Sequence, residues 1–228
     1  MKPAVFVAAL VPAGWLVWAA LTGDLGANPL GEITNTTGDW TLRLLCLTLA
    51  VTPLRRLTGW NGVVKFRRML GLFAFFYGTL HLFTYILLDR FAGLDAPGWR
   101  ALTAAIAEDV LKRPFIFVGF TAFAVMVPLA ATSTAGMIRR LGGRRWRALH
   151  RLMYVSCVAG VVHYWWLVKI DIRRPMAYGA VVAALFAMRI YWGARSQAGA
   201  SRRMWRSGYG RPSPSSADLP TTTNPSAS

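Results

Sequence analysis

The sequence predicts an all-α integral membrane protein, a bundle of six transmembrane helices with both termini in the cytoplasm. Three observations support this class. Apolar runs of about 15 to 20 residues, near the length that crosses ~30 Å of hydrocarbon, recur along the 228 residues. The 26 Lys and Arg side chains lie mainly between these runs. Segments rich and poor in basic residues also alternate, as expected for loops on opposite sides of a bilayer.

The six predicted spans are residues 4–21, 40–54, 69–88, 114–131, 150–168 and 176–192. The first follows Lys2 and lacks a clear small-x-small cleavage site before Thr22, so we interpret it as a retained helix and not as a signal peptide. The second is short unless Arg55 reaches back to the interface. These spans define a transmembrane domain, residues 1–195, followed by a Ser/Thr/Pro-rich cytoplasmic tail, residues 196–228, that we expect to be disordered.

The distribution of basic residues predicts the orientation. Segments 55–68 and 132–149 and the region after the last span contain fifteen Lys and Arg, whereas 22–39, 89–113 and 169–175 contain seven. The positive-inside rule places the first set, and with it both termini, in the cytoplasm. Because the charges lie at the ends of apolar runs, anionic lipid headgroups are the expected partners and nucleic acid is not.

The chain has three histidines, and two of them lie at matching depths. His81 is about 12 residues into the third span and His163 about 13 residues into the fifth, so each lies ~18–20 Å from the cytoplasmic end. A single histidine in such a helix would most simply bond to a neighbouring helix. A matched pair favours bis-imidazole ligation of a haem iron. The small residues Gly78 and Gly160, each three positions before a histidine, would let a flat macrocycle approach the backbone.

His150 allows two interpretations. In an ideal helix its side chain points ~140° away from His163, so the two share a face only across a π-bulge or similar defect. The matching position in the third span is Arg68, so a second, inner haem would need His150 and a non-histidine ligand or water. The alternative is an interfacial histidine among the arginines of WRALHR.

Several motifs together resemble a known family. They are GANP (26–29), RRMLGLFAFFYGTLHL (67–82), KRPFIFVGF (112–120), ATSTAGM (131–137) and WRALHRLMYVSCVAGVVHYWWLVK (146–169). In this order and spacing they are similar to the MsrQ (YedZ) family, the haem-binding membrane subunits of the bacterial periplasmic methionine sulfoxide reductase system. The similarity extends from about residue 10 to 192.

The resemblance implies a ferric-reductase-like transmembrane domain in the bacterial inner membrane, carrying one or two haem b groups and FMN. Electrons from the quinone pool or a cytosolic flavin reductase would pass to MsrP, a periplasmic molybdopterin subunit that reduces methionine sulfoxide in envelope proteins. The family's haem ligands fall on His81 and His163, with His150 as a further ligand position. No flavin motif is visible, so no residue is assigned to FMN.

The resemblance also separates the chain from NADPH oxidases, which carry a cytosolic FAD/NAD(P)H domain after the last span. Only about 35 mainly polar residues follow Trp192, and none resembles a nucleotide-binding fold, so we expect an electron-transfer subunit without catalytic residues of its own. Two other functions stay open. One is a b-type cytochrome serving another acceptor. The other is a small transporter or assembly protein, which the lack of acidic residues within the spans disfavours.

Overall fold

The computed structural model describes residues 2–92, 98–168 and 170–206, the last eleven of these by their backbone alone. Within these ranges every regular element is helical, which confirms the all-α class. The helices are α1 (Lys2–Thr22), α2 (Pro29–Thr58), α3 (Val64–Phe83), α4 (Trp99–Lys112), α5 (Pro114–Ala131), α6 (Ala135–Leu149), α7 (Met153–Leu167) and α8 (Arg173–Arg206). A π-helical segment, Thr84–Phe91, continues α3, and 3-10 turns cover Asn61–Val63 and His150–Leu152.

Four helical stretches are long and apolar enough to cross a membrane: Lys2–Thr22, Asn61–Phe91, Pro114–Ala131 and Arg173–Arg195. They coincide with the first, third, fourth and sixth predicted spans, and the chain is therefore a multi-pass membrane protein. The second and fifth predicted spans correspond to α2 and α7, which do not meet this criterion. α7 has only 15 residues, and α2 contains Asp39, Arg43 and several threonines. The count of six spans and the location of the termini stay predictions.

Helix directions follow from which residues meet. Phe6 packs edge-on against Phe73 with ring centroids 5.2 Å apart, and the Tyr77 hydroxyl lies 2.7 Å from the Ala9 carbonyl oxygen. Residue numbers at these contacts increase together on the two helices, so α1 and α3 run parallel. The intervening helix, α2, must therefore run in the opposite direction. This arrangement favours a full crossing by α2.

α2 is twice as long as its predicted span. It has 30 residues and begins inside the segment predicted as an outer loop. Asn28 caps it by accepting a hydrogen bond from the Gly31 amide at 3.0 Å, and Pro29 at its first position has a backbone angle suited to a helix start. Gly59, at φ 70°, ends it by donating its amide to the Arg55 carbonyl. Hydropathy detects only the apolar centre of this helix.

Two helices lie in segments predicted as connections. α4 falls within 89–113 and α6 within 132–149. Both are amphipathic, so neither produces the continuous apolar run on which span prediction depends. α6 is interrupted at Gly142, where φ is 72°.

One compact unit of the chain ends at Phe186 and a second begins at Ala187, inside α8. The cavities and contacts described below all belong to the first unit. α8 continues through Arg206, and residues 207–228, which include most of the predicted tail, lie outside the described residues. The boundary at residue 195 and the disorder of the tail therefore stay predictions.

Candidate functional site

His81 and His163, predicted as a pair, lie side by side in the structure. Their ring centroids are 6.1 Å apart and their planes cross at 82°. Two imidazoles that share one metal ion through nitrogens at roughly 2 Å have centroids about 6 Å apart. The spacing therefore suits two histidine ligands of one metal ion.

Each imidazole is oriented by a backbone carbonyl on the neighbouring helix. His81 Nδ1, on α3, is 3.0 Å from the Thr34 oxygen on α2. His163 Nδ1, on α7, is 2.6 Å from the Phe115 oxygen on α5. A carbonyl only accepts hydrogen bonds, so Nδ1 must carry the proton in both rings. This tautomer leaves the Nε2 lone pair of each histidine available to a metal ion.

A glycine makes room for each ring. Gly38 and Gly119 each lie four residues after the residue whose carbonyl accepts the bond, one helical turn further along. A Cβ atom at Gly119 would lie 2.8 Å from His163 Cε1 and Nδ1, and one at Gly38 would lie 3.1 Å from His81 Cε1. Sequence reasoning missed Thr34, Phe115 and both glycines. The KRPFIFVGF motif contains Phe115 and Gly119, but nothing in it indicates what they do.

A cavity of about 540 Å³ adjoins the two histidines. This volume lies within the ~300–1,000 Å³ typical of ligand and cofactor sites. Gly78 and Gly160 line it, as the sequence predicted. Its other walls come from α2, α3, α5 and α7 and are mainly apolar, including Leu42, Ile116, Phe120, Phe123 and Met126. The volume, the apolar walls and the glycines fit a flat macrocycle.

Charged side chains line the same cavity at the helix ends predicted to be periplasmic. Arg174 Nη1 lies 3.7 Å from Asp39 Oδ2, and Arg113 Nε lies 3.6 Å from Asp109 Oδ1. Both distances are long for ion pairs. Asp109 is held more closely by Arg90, at 2.6 Å, and by the Tyr85 hydroxyl, at 2.7 Å. The guanidinium groups of Arg113 and Arg174 therefore form only long ion pairs with these carboxylates and can donate hydrogen bonds to an anionic group at the cavity mouth.

The structure does not bring His150 to this cavity. It lies in the 3-10 turn before α7, stacks on Trp146 with ring centroids 4.0 Å apart, and has Nε2 3.2 Å from the Thr132 hydroxyl. The only π-helical segment of the described residues continues α3 and not α7, so no such defect brings His150 onto the face of His163. No group of three or more His, Cys, Asp or Glu side chains able to hold a metal ion occurs within residues 2–92, 98–168 and 170–206.

Comparisons with known proteins show which proteins the chain is similar to. A family model described as ferric reductase like transmembrane component matches residues 37–161, which include His81 and end just before His163. The chain is 54% identical over 194 residues to the protein-methionine-sulfoxide reductase heme-binding subunit MsrQ of Ralstonia nicotianae, covering 84% of this chain and 85% of the relative. It is 50% identical over 194 residues to the protein of the same name from Herminiimonas arsenicoxydans, with the same coverage. No solved structure matches the chain.

Proposed function

Since this chain belongs to the MsrQ family of haem-binding subunits, which share a ferric-reductase-like transmembrane domain, we propose that it relays electrons to a periplasmic methionine sulfoxide reductase. That membership itself supports a haem-dependent electron-transfer role in a membrane. The proposal adds the inner membrane as location, the quinone pool or a cytosolic flavin reductase as donor, and the molybdopterin subunit MsrP as acceptor. It also adds repair of oxidised envelope proteins as the outcome.

The observation that carries the proposal is the geometry of His81 and His163. Two half-buried imidazoles with centroids 6.1 Å apart, each with Nδ1 bonded to a carbonyl oxygen, are a costly arrangement in an apolar bundle. The Nε2 atoms of both rings stay free of these carbonyl bonds and could bind a metal ion. In this proposal His81 and His163 would hold haem b, which would supply one-electron redox chemistry when bound.

The remaining residues of the cavity have supporting roles in this proposal. The apolar side chains would exclude water from the macrocycle, and Gly78 and Gly160 would let it approach the backbone. Arg113 and Arg174 are the cations best placed for the carboxylates of the haem propionates.

The position of the site favours delivery to the periplasm. His163 lies four residues before the end of α7, about 6 Å along the helix, at the end predicted to be periplasmic. Electrons that come from the cytoplasm must therefore cross the larger part of the bilayer before they reach the histidine pair. The candidates for that part are a second haem with His150 as ligand and the FMN implied by the family resemblance. FMN has no assigned residue in this proposal.

Spectroscopy of purified variants tests the ligands. We expect His81→Ala and His163→Ala each to lose the low-spin haem signal in the dithionite-reduced spectrum. Thr79→Ala is the matched control, because Thr79 is exposed on α3 and bonds only to the Phe75 carbonyl within its own helix. Full low-spin haem in both histidine variants would refute the assignment.

A second measurement tests the acceptor. The wild-type chain, co-expressed with a periplasmic molybdopterin enzyme, should support reduction of protein-bound methionine sulfoxide, and His163→Ala should not. A reducible haem without methionine sulfoxide reduction would indicate a cytochrome for another acceptor. Purified protein without any haem would favour the transporter or assembly function.

A further inference from the structure

A second cavity, of about 590 Å³, lies between α1 and α3 and shares no residue with the histidine cavity. Lys2, Lys65 and Arg68 line it at one end, and its other lining side chains are apolar. We call this feature the α1–α3 groove. It has no part in the proposed electron path.

The groove is amphipathic along its length. α1 and α3 run parallel, and the three cations lie within the first five residues of these helices. The apolar lining then continues to Leu10 on α1 and Phe76 on α3, each eight residues beyond a lining cation, which is ~12 Å of helix. Under the predicted topology, the charged end is at the inner leaflet interface and the apolar end is within the hydrocarbon.

The cations of the groove have no carboxylate partner in the described part of the chain. None of its ion pairs includes Lys2, Lys65 or Arg68. All Asp and Glu residues except Asp218 lie in segments 22–39, 89–113 and 169–175, which are predicted on the opposite side. Three cations that converge on one cavity without a counter-ion favour an anionic occupant.

The apolar end is open to the surrounding bilayer. Phe6 is 49% exposed, and Leu10 and Phe76 are each 37% exposed. An occupant that covers them must therefore itself reside in the membrane. The lining side chains are cationic or apolar, with no amide, hydroxyl or carboxylate, so none of them can accept the hydrogen bond that the N3–H group of a flavin ring donates. A neutral quinol does not need three cations.

We propose that the α1–α3 groove binds one anionic phospholipid of the inner leaflet. Lys2, Lys65 and Arg68 bind the phosphate diester, and one acyl chain lies along Phe6, Leu10 and Phe76. Such a lipid fills the space between α1 and α3 at the inner side, where the protein itself supplies no neutralising charge.

Native mass spectrometry of the full-length protein tests the proposal. The protein is delipidated in detergent and titrated with phosphatidylglycerol, or with phosphatidylcholine that carries the same acyl chains. We expect one phosphatidylglycerol to bind at least tenfold more tightly than phosphatidylcholine. Lys65→Gln and Arg68→Gln should each abolish this preference. Arg139→Gln is the matched control and should keep it, since Arg139 is an exposed arginine of the inner segment outside the groove.

Each other result overturns the proposal. Equal binding of the two lipids by the wild-type protein removes the requirement for an anionic headgroup. Loss of the preference in Arg139→Gln as well as in the groove variants attributes it to the overall positive charge of the inner face. Saturable FMN binding that is lost in Arg68→Gln, measured by flavin fluorescence, assigns the groove to a flavin phosphate instead. Retained helical circular dichroism and a single gel-filtration peak verify that each variant is folded.

Discussion

The tautomer of each histidine of the pair depends on one hydrogen bond to the backbone. Thr34 and Phe115 accept these bonds through their carbonyl oxygens, which every residue has. The Phe115 ring also packs near the His163 ring, with centroids 6.2 Å apart. Gly38 and Gly119 contribute the absence of a side chain. The geometry of the site therefore depends on residues whose identity shows little of their role.

Gly119→Ala should weaken haem binding more than Gly38→Ala. The new methyl group would lie 2.8 Å from the His163 ring at Gly119, against 3.1 Å from the His81 ring at Gly38. Turning a ring off its rotamer costs ~0.5–1.5 kcal/mol, or up to about tenfold in affinity. Haem content and the low-spin optical spectrum are the measurements.

Gly136→Ala is the control for this pair, because a methyl group added at this position on α6 would have nothing within 4 Å. Alanine is also the better helix former by ~1 kcal/mol, so loss of haem would not reflect a weakened helix. Wild-type haem content in Gly119→Ala would contradict the proposed close packing.

Arg113→Gln and Arg174→Gln should each lower the haem midpoint potential by roughly tens of millivolts, since a nearby positive charge stabilises the reduced, more negative form of the site. Redox titration followed at the reduced haem band measures the shift. Arg100→Gln, an exposed position on α4 outside the cavity lining, should leave the potential unchanged. Unchanged potentials in both cavity variants would remove these arginines from the propionate assignment.

At the scale of the helices, α1 is hydrogen-bonded to α3 through the hydroxyl group of Tyr77. Tyr77 is fully buried, donates a hydrogen bond to the Ala9 carbonyl at 2.7 Å, and accepts one from the Ala13 amide at 3.1 Å. These two backbone groups would bond to each other in a regular helix, and Pro12 lies directly before Ala13. The Tyr77 hydroxyl on α3 thus provides hydrogen-bond partners for two α1 backbone groups next to Pro12, which interrupts the regular hydrogen bonding of that helix.

Tyr77→Phe should destabilise the bundle by about 1–3 kcal/mol, because it removes the partner of two buried backbone groups. A lower thermal unfolding midpoint in detergent is the measurement. Tyr191→Phe, at a position 53% exposed, should leave the midpoint unchanged. An unchanged midpoint for Tyr77→Phe would mean that α1 restores its own hydrogen bond.

α2 and α7 are the helices whose crossing needs direct evidence. If both cross, an impermeant maleimide should label Ala27→Cys and Ile170→Cys in intact spheroplasts. It should label Trp60→Cys and Arg151→Cys only after lysis. The native Cys46 and Cys157 are buried and should not react. Labelling of Ala27→Cys and Trp60→Cys from the same side would remove α2 from the count of spans, and the second pair tests α7 in the same way.

In the molecule as a whole, acidic and basic residues are separated along the predicted membrane normal. All acids except Asp218 lie in the segments predicted as outer, and Asp39 and Asp89 line the histidine cavity, while the inner connections are basic. This asymmetry predicts the orientation and places the histidine pair near the periplasmic surface. It also leaves the cytoplasmic part of the electron path without an assigned carrier.

His150→Ala tests whether His150 belongs to that path. If a carrier at His150 relays electrons from the cytoplasmic side to the periplasmic side, the variant should keep the haem between His81 and His163. Quinol or a cytosolic flavin reductase should reduce that haem more slowly than in the wild type. Stopped-flow absorbance measures the rate. Reduction at the wild-type rate would leave the interfacial interpretation, in which His150 packs on Trp146 and bonds to Thr132.

Hydropathy and helical rise are local properties, so the fold class, four of the apolar helices and the matched depth of the two histidines could all be predicted from the sequence. The predicted depths of His81 and His163 correspond to rings that meet in the structure. The same local properties missed α4, α6 and the first turns of α2, since these stretches are too polar to resemble a span.

Only the tertiary structure decided which groups surround each ring. The carbonyls of Thr34 and Phe115 exist in any sequence, and their role depends on which helix lies beside which. The sequence allows two interpretations of His150 because an ideal helix is a poor guide at a 3-10 turn; in the structure His150 packs on Trp146, away from the cavity. Periodicity specifies a residue's height and face on its own helix, whereas its partner depends on how neighbouring helices pack.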